Sequence, residues 1–434
     1  MSLSDRKSKS WAVIRVSSGN FLEMYDFMVF GYYAPAIGKA FFPSGNPFTS
    51  LMLSLMTFGV GFLMRPIGAI VLGAYADRHG RRAGLILTLG LMSIGILSIA
   101  CVPGYKSIGL IAPLLVLGGR LLQGFSAGME LGGVSVYLSE IATPGHKGFY
   151  VAWQSASQQV AVMFAAILGV GLNSLLPTDK MTAWGWRIPL LIGCAIIPFL
   201  LRLRRSLQES DEFVARKRHP ALSEILASLR ANAGLVALGT MLFTMTTVSF
   251  YMITAYTPTF GSSVLHLSSR DSLIVTFCVG ASNLFWIPLM GSLSDRIGRT
   301  PLLIACTVLM LLTAYPAMLW LVAGPSFSKL LAVELWLSFI YGSFNGAAIV
   351  FMTEIIPIDV RTMGFSLAYS VATAIFGGFT PAISTYLIHS TGNRAIPGVW
   401  LAFAAACGLV ATLLLRRRQH TLETTAQSEL LPVR

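Results

Sequence analysis

Gly73-Ala-Tyr-Ala-Asp77-Arg78-His-Gly80-Arg81-Arg82 and Gly291-Ser-Leu-Ser-Asp295-Arg296-Ile-Gly298-Arg299-Thr300 are one phrase written twice, 218 residues apart (73 to 291). A second pair, Ser139-Glu140-Ile141 and Thr353-Glu354-Ile355, recurs at 214 residues (140 to 354). Two phrases at nearly one offset indicate a duplicated unit, the parallel-repeat arrangement in which a site lies between the copies. The chemistry of the phrase suggests a closure. Gly73 and Gly291 let helices approach, and Asp77 and Asp295 can meet a neighbouring helix N-terminus. Arg78, Arg81, Arg296 and Arg299 can bridge to Glu140 and Glu354. Gly73, Asp77, Arg78, Arg81, Glu140, Asp295, Arg296, Arg299 and Glu354 are expected to form a gate on the cytoplasmic side.

Each copy sits between long apolar runs. The 434-residue chain is 55% hydrophobic and 11% charged, with a mean hydropathy of +0.71; a soluble domain carries about 25% charged residues. Runs of about 20 apolar residues are long enough to span a bilayer. They fall near 15–40, 50–76, 84–103, 109–138, 149–175, 187–203, 233–258, 271–294, 300–322, 329–352, 362–389 and 397–415. Each is too long and too uniformly apolar for an alternating barrel strand, so helices are expected. The fold class is therefore an all-α membrane protein of twelve helices in two six-helix halves. The expected divisions are 1–203, a linker over 204–232, 233–418 and a short tail over 419–434. With the N-terminus inside, 22 of the 31 lysines and arginines face the cytoplasm and seven face the other side, which sets both termini cytoplasmic. The formal charge of +13 is then that of basic inner loops, and no nucleic-acid partner is expected. The polar, basic first 18 residues are read as lacking a cleavable signal. The five cysteines are scattered, without metal or redox spacing, and read as small core hydrophobes. Neither metal nor cofactor is expected. The six histidines are dispersed in loops, at span ends or in the tail, so an enzyme is not.

The repeated phrase resembles the loop signature G-x-x-x-D-R-x-G-R-[RK] of the major facilitator superfamily, a likeness that covers the whole chain. Arg120-Leu-Leu-Gln123-Gly124 looks like the R-x-x-x-G motif associated there with proton-coupled carriers. Phe62-Leu-Met-Arg-Pro-Ile-Gly68, Trp184-Gly-Trp-Arg-Ile-Pro189 and Arg204-Arg-Ser-Leu-Gln-Glu209 are similar to the metabolite:proton symporter branch. Within it, Ser17-Ser-Gly-Asn-Phe-Leu-Glu23, Trp153-Gln-Ser-Ala-Ser-Gln-Gln159 and Ala374-Ile-Phe-Gly-Gly-Phe-Thr-Pro-Ala-Ile-Ser384 resemble bacterial citrate–proton symporters and tricarballylate carriers. The resemblance implies a bacterial inner-membrane carrier that works by alternating access on a small tricarboxylate.

An ionisable group inside a span costs several kcal/mol unless paired or functional, so the few present mark candidate sites. Arg120 lies about 16 Å into the fourth span, where its planar fork suits a carboxylate; a structural pair with Glu130 or an acid of the first span is the alternative. Gln123 shares its face, and Gly124, Gly128 and Gly132 read as a close helix contact. Asn20, Glu23 and Asp26 are spaced by three on one side of the first span. Two carboxylates that close cannot both carry charge cheaply, which suits proton coupling by Glu23, Asp26 and Glu130. Sodium ligation by Asn20, Glu23 and Asp26, or neutralisation of Arg65 or Arg120, fits the same spacing. Gln154 and Gln158, four apart, are expected to face a polar cavity or to bond between helices. Tyr251, Asn283, Tyr341 and Asn345 are further substrate candidates. Arg65 reads as a gate or structural residue, Glu334 has no assigned role, and Trp184, Trp186 and Trp400 look like interfacial anchors.

The resemblance implies a tricarboxylate–proton symporter in the bilayer rather than a carrier of another solute class, and a monomer is expected because one chain holds both halves. The fifth span carries no glycine–proline motif of a drug antiporter, and the tail has no coiled coil of an osmolyte carrier. The stretch after the sixth span differs from that of a sugar porter, and no segment is large enough for the soluble output domain of a sensor.

Overall fold

A computed structural model describes residues 21–128, 130–205, 227, 230–357 and 361–430. Among these residues every regular element is helical. The helices are α1 (Phe21–Tyr32), α2 (Ala34–Phe41), α3 (Pro47–Phe62), α4 (Arg65–His79), α5 (Arg81–Cys101), α6 (Ile111–Ala127), α7 (Glu130–Ile141), α8 (Lys147–Leu175) and α9 (Arg187–Arg205). After the linker come α10 (Ala233–Tyr251), α11 (Ser269–Ile297), α12 (Arg299–Val322), α13 (Phe327–Ile355), α14 (Arg361–Ala372), α15 (Thr380–Thr391) and α16 (Pro397–Leu430). Among the described residues ten helical stretches are long and apolar enough to cross a membrane, and Thr178–Gly185 with Arg187–Phe199 make an eleventh if their 45° bend belongs to one span.

Local sequence sets the boundaries. Asn46, Ser268 and Ser326 each accept a hydrogen bond from a backbone N–H of the helix they precede, satisfying a donor that the first turn leaves free. The repeated phrase ends α4 and α11 with Gly80 at φ 97° and Gly298 at φ 90°. That region is strained for residues with a Cβ, so the second glycine of each copy turns the chain directly into α5 or α12.

The most extensive helix seam among the described residues joins α8 to α11, which run antiparallel and have 29 residues each, about 43 Å. Gly148 faces Gly291 at one end, Gly280 meets Met163 near the middle, and Gly169 meets Leu273 at the other end. α4 packs likewise on α14. The glycine ladder of the fourth span is such a contact: a Cβ on Gly124 would strike the Gly61 carbonyl, one on Gly128 the Arg65 carbonyl, and one on Gly132 the Ser366 side chain. Large apolar side chains such as Ile111, Phe199, Phe285 and Leu312 point outward, as a lipid-facing surface requires.

Several expectations need correction. The seventh span does not stop at 258: π-helical turns at Met252–Tyr256 and Phe260–Val264, with Thr257–Thr259 between them, carry it to Val264. The last helix runs to Leu430, through much of the expected tail. Trp186 is no interfacial anchor; it is fully buried against Phe41, with the Arg187 guanidinium over its ring. Trp184 is exposed, and the half-buried Trp400 donates to Thr380. Cys101 is exposed at a helix end and Cys306 is buried; all five cysteines are free. Most of the linker lies outside the described residues.

Candidate functional site

The acids of α1 meet two arginines from other helices. Glu23 pairs with Arg65 at the start of α4, and Asp26 Oδ2 lies 3.2 Å from Arg120 Nη1 on α6. All four side chains are buried. The carboxylates therefore do not form a shared acidic pair; each has its own counter-charge, the reading in which they neutralise Arg65 and Arg120. Removing one member of such a pair leaves an uncompensated buried charge.

Aromatic rings hold the guanidinium groups in place. Phe27, one residue beyond Asp26, lies between them, 5.1 Å from Arg65 and 4.6 Å from Arg120. Phe62 also covers Arg65, and Phe30 and Phe58 cover Arg120. Ring contacts of this kind, shielded from water, contribute about 2 kcal/mol. Backbone proximity makes the grouping possible: a Cβ on Gly61 would sit 2.9 Å from the Arg120 carbonyl. Arg65 is thus part of the buried centre.

Arg120 Nη1 also donates to Gln123 Oε1 at 2.7 Å. Its Nε and Nη2 are buried and have no partner among the described residues, and neither do Asp26 Oδ1, Gln123 Nε2 or Arg65 Nε. A guanidinium with one edge anchored and other donors unused can accept a carboxylate.

Helices from the far side of the linker complete the surroundings. Tyr251 on α10 packs edge-on against Phe58 and Phe62 at 6.0 and 5.1 Å. Phe250 connects it to Tyr341 on α13. Asn345, one turn beyond Tyr341, is buried with both side-chain polar atoms unpartnered among the described residues. Gln154 is buried, accepts from Ser155 and leaves its Nε2 unpartnered among the described residues; Gln158 is buried on the same face. Asn283 differs: its Nδ2 donates to Gln159 Oε1 at 3.1 Å and its Oδ1 accepts from Ser338 at 2.7 Å. That chain of bonds ties α8, α11 and α13 together. Gln159 is a structural partner that the sequence reading passed over, although it adjoins Gln158.

At one end of the seam Asp295 caps α8. Its Oδ1 accepts from the Gly148 N–H at 2.8 Å and its Oδ2 from the Phe149 N–H at 3.1 Å. Arg299 lies 2.7 Å from Asp295 and 3.1 Å from Glu354. The carboxylate thus meets both the positive end of a helix and a guanidinium. Gly291 earns its place here, since a Cβ would lie 2.6 Å from the Gly148 carbonyl. Gly73 is looser, with only the Met363 methyl near, at 3.5 Å. Glu140 and Arg296 are exposed. Asn20 and the side chains of Asp77, Arg78, Arg81 and Glu130 lie outside the described residues. At the opposite end a cavity of about 570 Å³ is lined by Lys39, Phe48, Ser50, Thr385 and His389 among others, with Phe48 and His389 stacked at 3.8 Å.

A family model described as "Sugar (and other) transporter" matches residues 11–417. The chain is 59% identical over 404 residues to a citrate-proton symporter of Salmonella typhi, covering 93% of each chain. It is also 59% identical over 416 residues to a citrate-proton symporter of Klebsiella pneumoniae, covering 96% of this chain and 94% of that one. In shape it is similar to the crystal structure of a D-xylose-proton symporter, with TM-score 0.75 over 93% of this chain and 96% of the other at 18% identity. That likeness shows a common fold. The chain belongs to the sugar (and other) transporter family of the major facilitator superfamily, and is a multi-pass membrane transporter.

Proposed function

We propose that this protein imports citrate together with protons across the bacterial inner membrane. The observation that carries the reading is the buried Arg120, anchored through Nη1 on Asp26 and Gln123 while Nε and Nη2 remain without partners among the described residues. A carboxylate of the substrate would take those donors in a bidentate contact. Gln123, Gln154, Gln158, Tyr251, Tyr341 and Asn345 would supply hydrogen bonds around it. The relatives named citrate-proton symporters support the choice of anion.

Protons suit the load. Citrate is largely a trianion at neutral pH, and an inside-negative potential opposes its import by about 2.3 kcal/mol per charge per 100 mV. Cotransported protons offset that work. Asp26, shared between Arg120 and an unpartnered Oδ1, is the coupling group we favour, with Glu23 beside it.

We infer twelve spans: the ten apolar stretches, the bent pair Thr178–Phe199, and α1 with α2. Residues 1–203 and 233–418 would be the rocking halves of a monomer, with both termini cytoplasmic. The Asp295–Gly148 tie, with Arg299 and Glu354, would then close the cytoplasmic end, leaving the cavity beside Lys39 and His389 as the outer vestibule.

Labelled citrate uptake into proteoliposomes tests the proposal. An inward proton gradient is compared with an inward sodium gradient, with tricarballylate, succinate and proline as competitors. Proton-driven uptake blocked by tricarballylate is the expected result. Uptake driven by sodium alone would reassign Glu23 and Asp26 as ion ligands, and no uptake under either gradient would end the tricarboxylate reading.

A further inference from the structure

Glu334 has no part in the site described above, yet it is one of the most buried acids of the chain. It lies on α13 about 10 Å from the helix start, is 2% exposed, and takes part in none of the ion pairs among the described residues. Its Oε1 is 3.0 Å from Thr257 Oγ1 and its Oε2 has no partner among the described residues. An ionised carboxylate so placed would be a buried charge without compensation.

Hydrogen-bond accounting shows where a proton fits. Thr257 Oγ1 is also 3.2 Å from the Met252 carbonyl oxygen. A hydroxyl has one hydrogen to donate and lone pairs to accept with. If Thr257 donates to the Met252 carbonyl, its contact with Glu334 needs the hydrogen to come from the carboxyl. A protonated Glu334 donating from Oε1 to Thr257, which donates onward to Met252, satisfies both contacts. Thr257 stands between two π-helical turns, an irregularity often found at functional sites.

Other titratable groups sit on the packed elements, and none forms an ion pair with Glu334 among the described residues. Lys329, on the same helix, donates to the Trp320 carbonyl, and Tyr256 bonds Thr385. Arg270 and Asp271 lie in the first turn of α11. Cys278 lies on α11 and Cys306 on α12, and Tyr315 on α12 accepts from Asn393. From Glu334 a polar stripe continues along α13 through Ser338, Tyr341 and Asn345, at intervals of four, three and four residues, which keeps one helix face. All three are buried. Tyr341 then reaches Tyr251 and the arginine centre through Phe250.

We propose that Glu334 is a second proton-binding site of the transport cycle, separate from the Asp26–Arg120 pair. The proton is taken from water on the outer side onto the carboxylate and leaves as a proton to water on the inner side; no other bond changes. The breaking of the Thr257 contact, as the π-turned segment shifts against α13, releases it. This rests on the proton-symport reading above.

Two measurements test it in reconstituted full-length protein. Infrared spectroscopy at neutral pH, without substrate, is expected to show a protonated-carboxyl C=O band that Glu334→Gln lacks and Thr257→Val shifts. Parallel recording of proton and labelled citrate fluxes is expected to give one proton fewer per citrate in Glu334→Gln, with citrate exchange retained. An infrared spectrum unchanged by both substitutions, or an unchanged proton-to-citrate ratio in Glu334→Gln, overturns the proposal. Should Glu334→Gln not fold, the Thr257→Val band shift decides alone. If the unaltered protein moves no citrate, the citrate reading fails, and the band still decides whether Glu334 holds a proton.

Discussion

Arg120→Lys separates anion recognition from structural charge pairing. The arginine uses one edge on Asp26 and Gln123 and leaves Nε and Nη2 for a ligand. A lysine ammonium can keep the pair with Asp26, because it is a cation with three donors. It cannot also present a planar fork. Two charge-assisted hydrogen bonds contribute about 1.5–3 kcal/mol each. If the ammonium recovers one of them, the net loss is about 1.5–3 kcal/mol, or roughly 10- to 150-fold in affinity at 1.4 kcal/mol per tenfold. The assay is calorimetric titration of citrate into purified protein, with thermal melting as the control for folding. Arg120→Lys is expected to melt near the unaltered protein and bind citrate at least about tenfold more weakly. Arg120→Ala should also lose stability, because Asp26 is left buried without its cation, a change of about 3–5 kcal/mol. Citrate binding by Arg120→Lys within about threefold of the unaltered protein, a difference under 1 kcal/mol, would refute a bidentate contact at Arg120.

Three further outcomes are expected. Asp26→Asn should abolish proton-driven citrate accumulation while citrate–citrate exchange survives; accumulation that persists would move the coupling proton elsewhere. Asp295→Asn keeps an acceptor for Gly148 but gives up the charge facing the α8 N-terminus and Arg299, weakening that closure by about 2 kcal/mol. Spin labels at the exposed positions 140 and 296 should then report a larger population of wide separations, and an unchanged distance distribution would argue against a gate. Asn283→Ala breaks bonds to Gln159 and Ser338 and should lower stability by about 1–3 kcal/mol with little change in citrate KM; a large KM change at constant melting temperature would return Asn283 to the substrate.

What the sequence disclosed about the site follows from the range of each interaction. The ladder Gly124–Gly128–Gly132 was legible because one helix turn repeats every 3.6 residues, so a small-residue stripe is a property of local sequence. The second glycine of the repeated phrase is equally local, since a positive φ at Gly80 and Gly298 ends one helix and begins the next. Arg120, Glu23 and Asp26 stood out because burying charge in an apolar span is costly. Their pairing did not, because it depends on how α4 and α6 are rotated against α1. Spacing by three placed Glu23 and Asp26 on one face, where they looked like neighbours competing for a proton. The fold instead gives each acid a guanidinium and puts Phe27 between the two cations.

The same limit accounts for the residues that changed standing. Asn283 and Gln158 looked alike in sequence, as polar side chains in apolar spans. Asn283 is consumed by Gln159 and Ser338, contacts that span 124 and 55 residues of chain, whereas nothing comparable engages Asn345 among the described residues. Glu334 moved the other way, since its surroundings hold no cation partner among the described residues. Composition thus marks where charge and polarity are expensive, and only the packed helices decide which groups are already satisfied. Among the described residues the unsatisfied groups include Arg120 Nε and Nη2, Asp26 Oδ1, Gln123 Nε2, Gln154 Nε2 and Asn345, which a polyanion and its protons would have to meet. These five residues were among the candidates named from the sequence, because a binding site inside a membrane fold must keep polar atoms buried without letting the protein itself use them up.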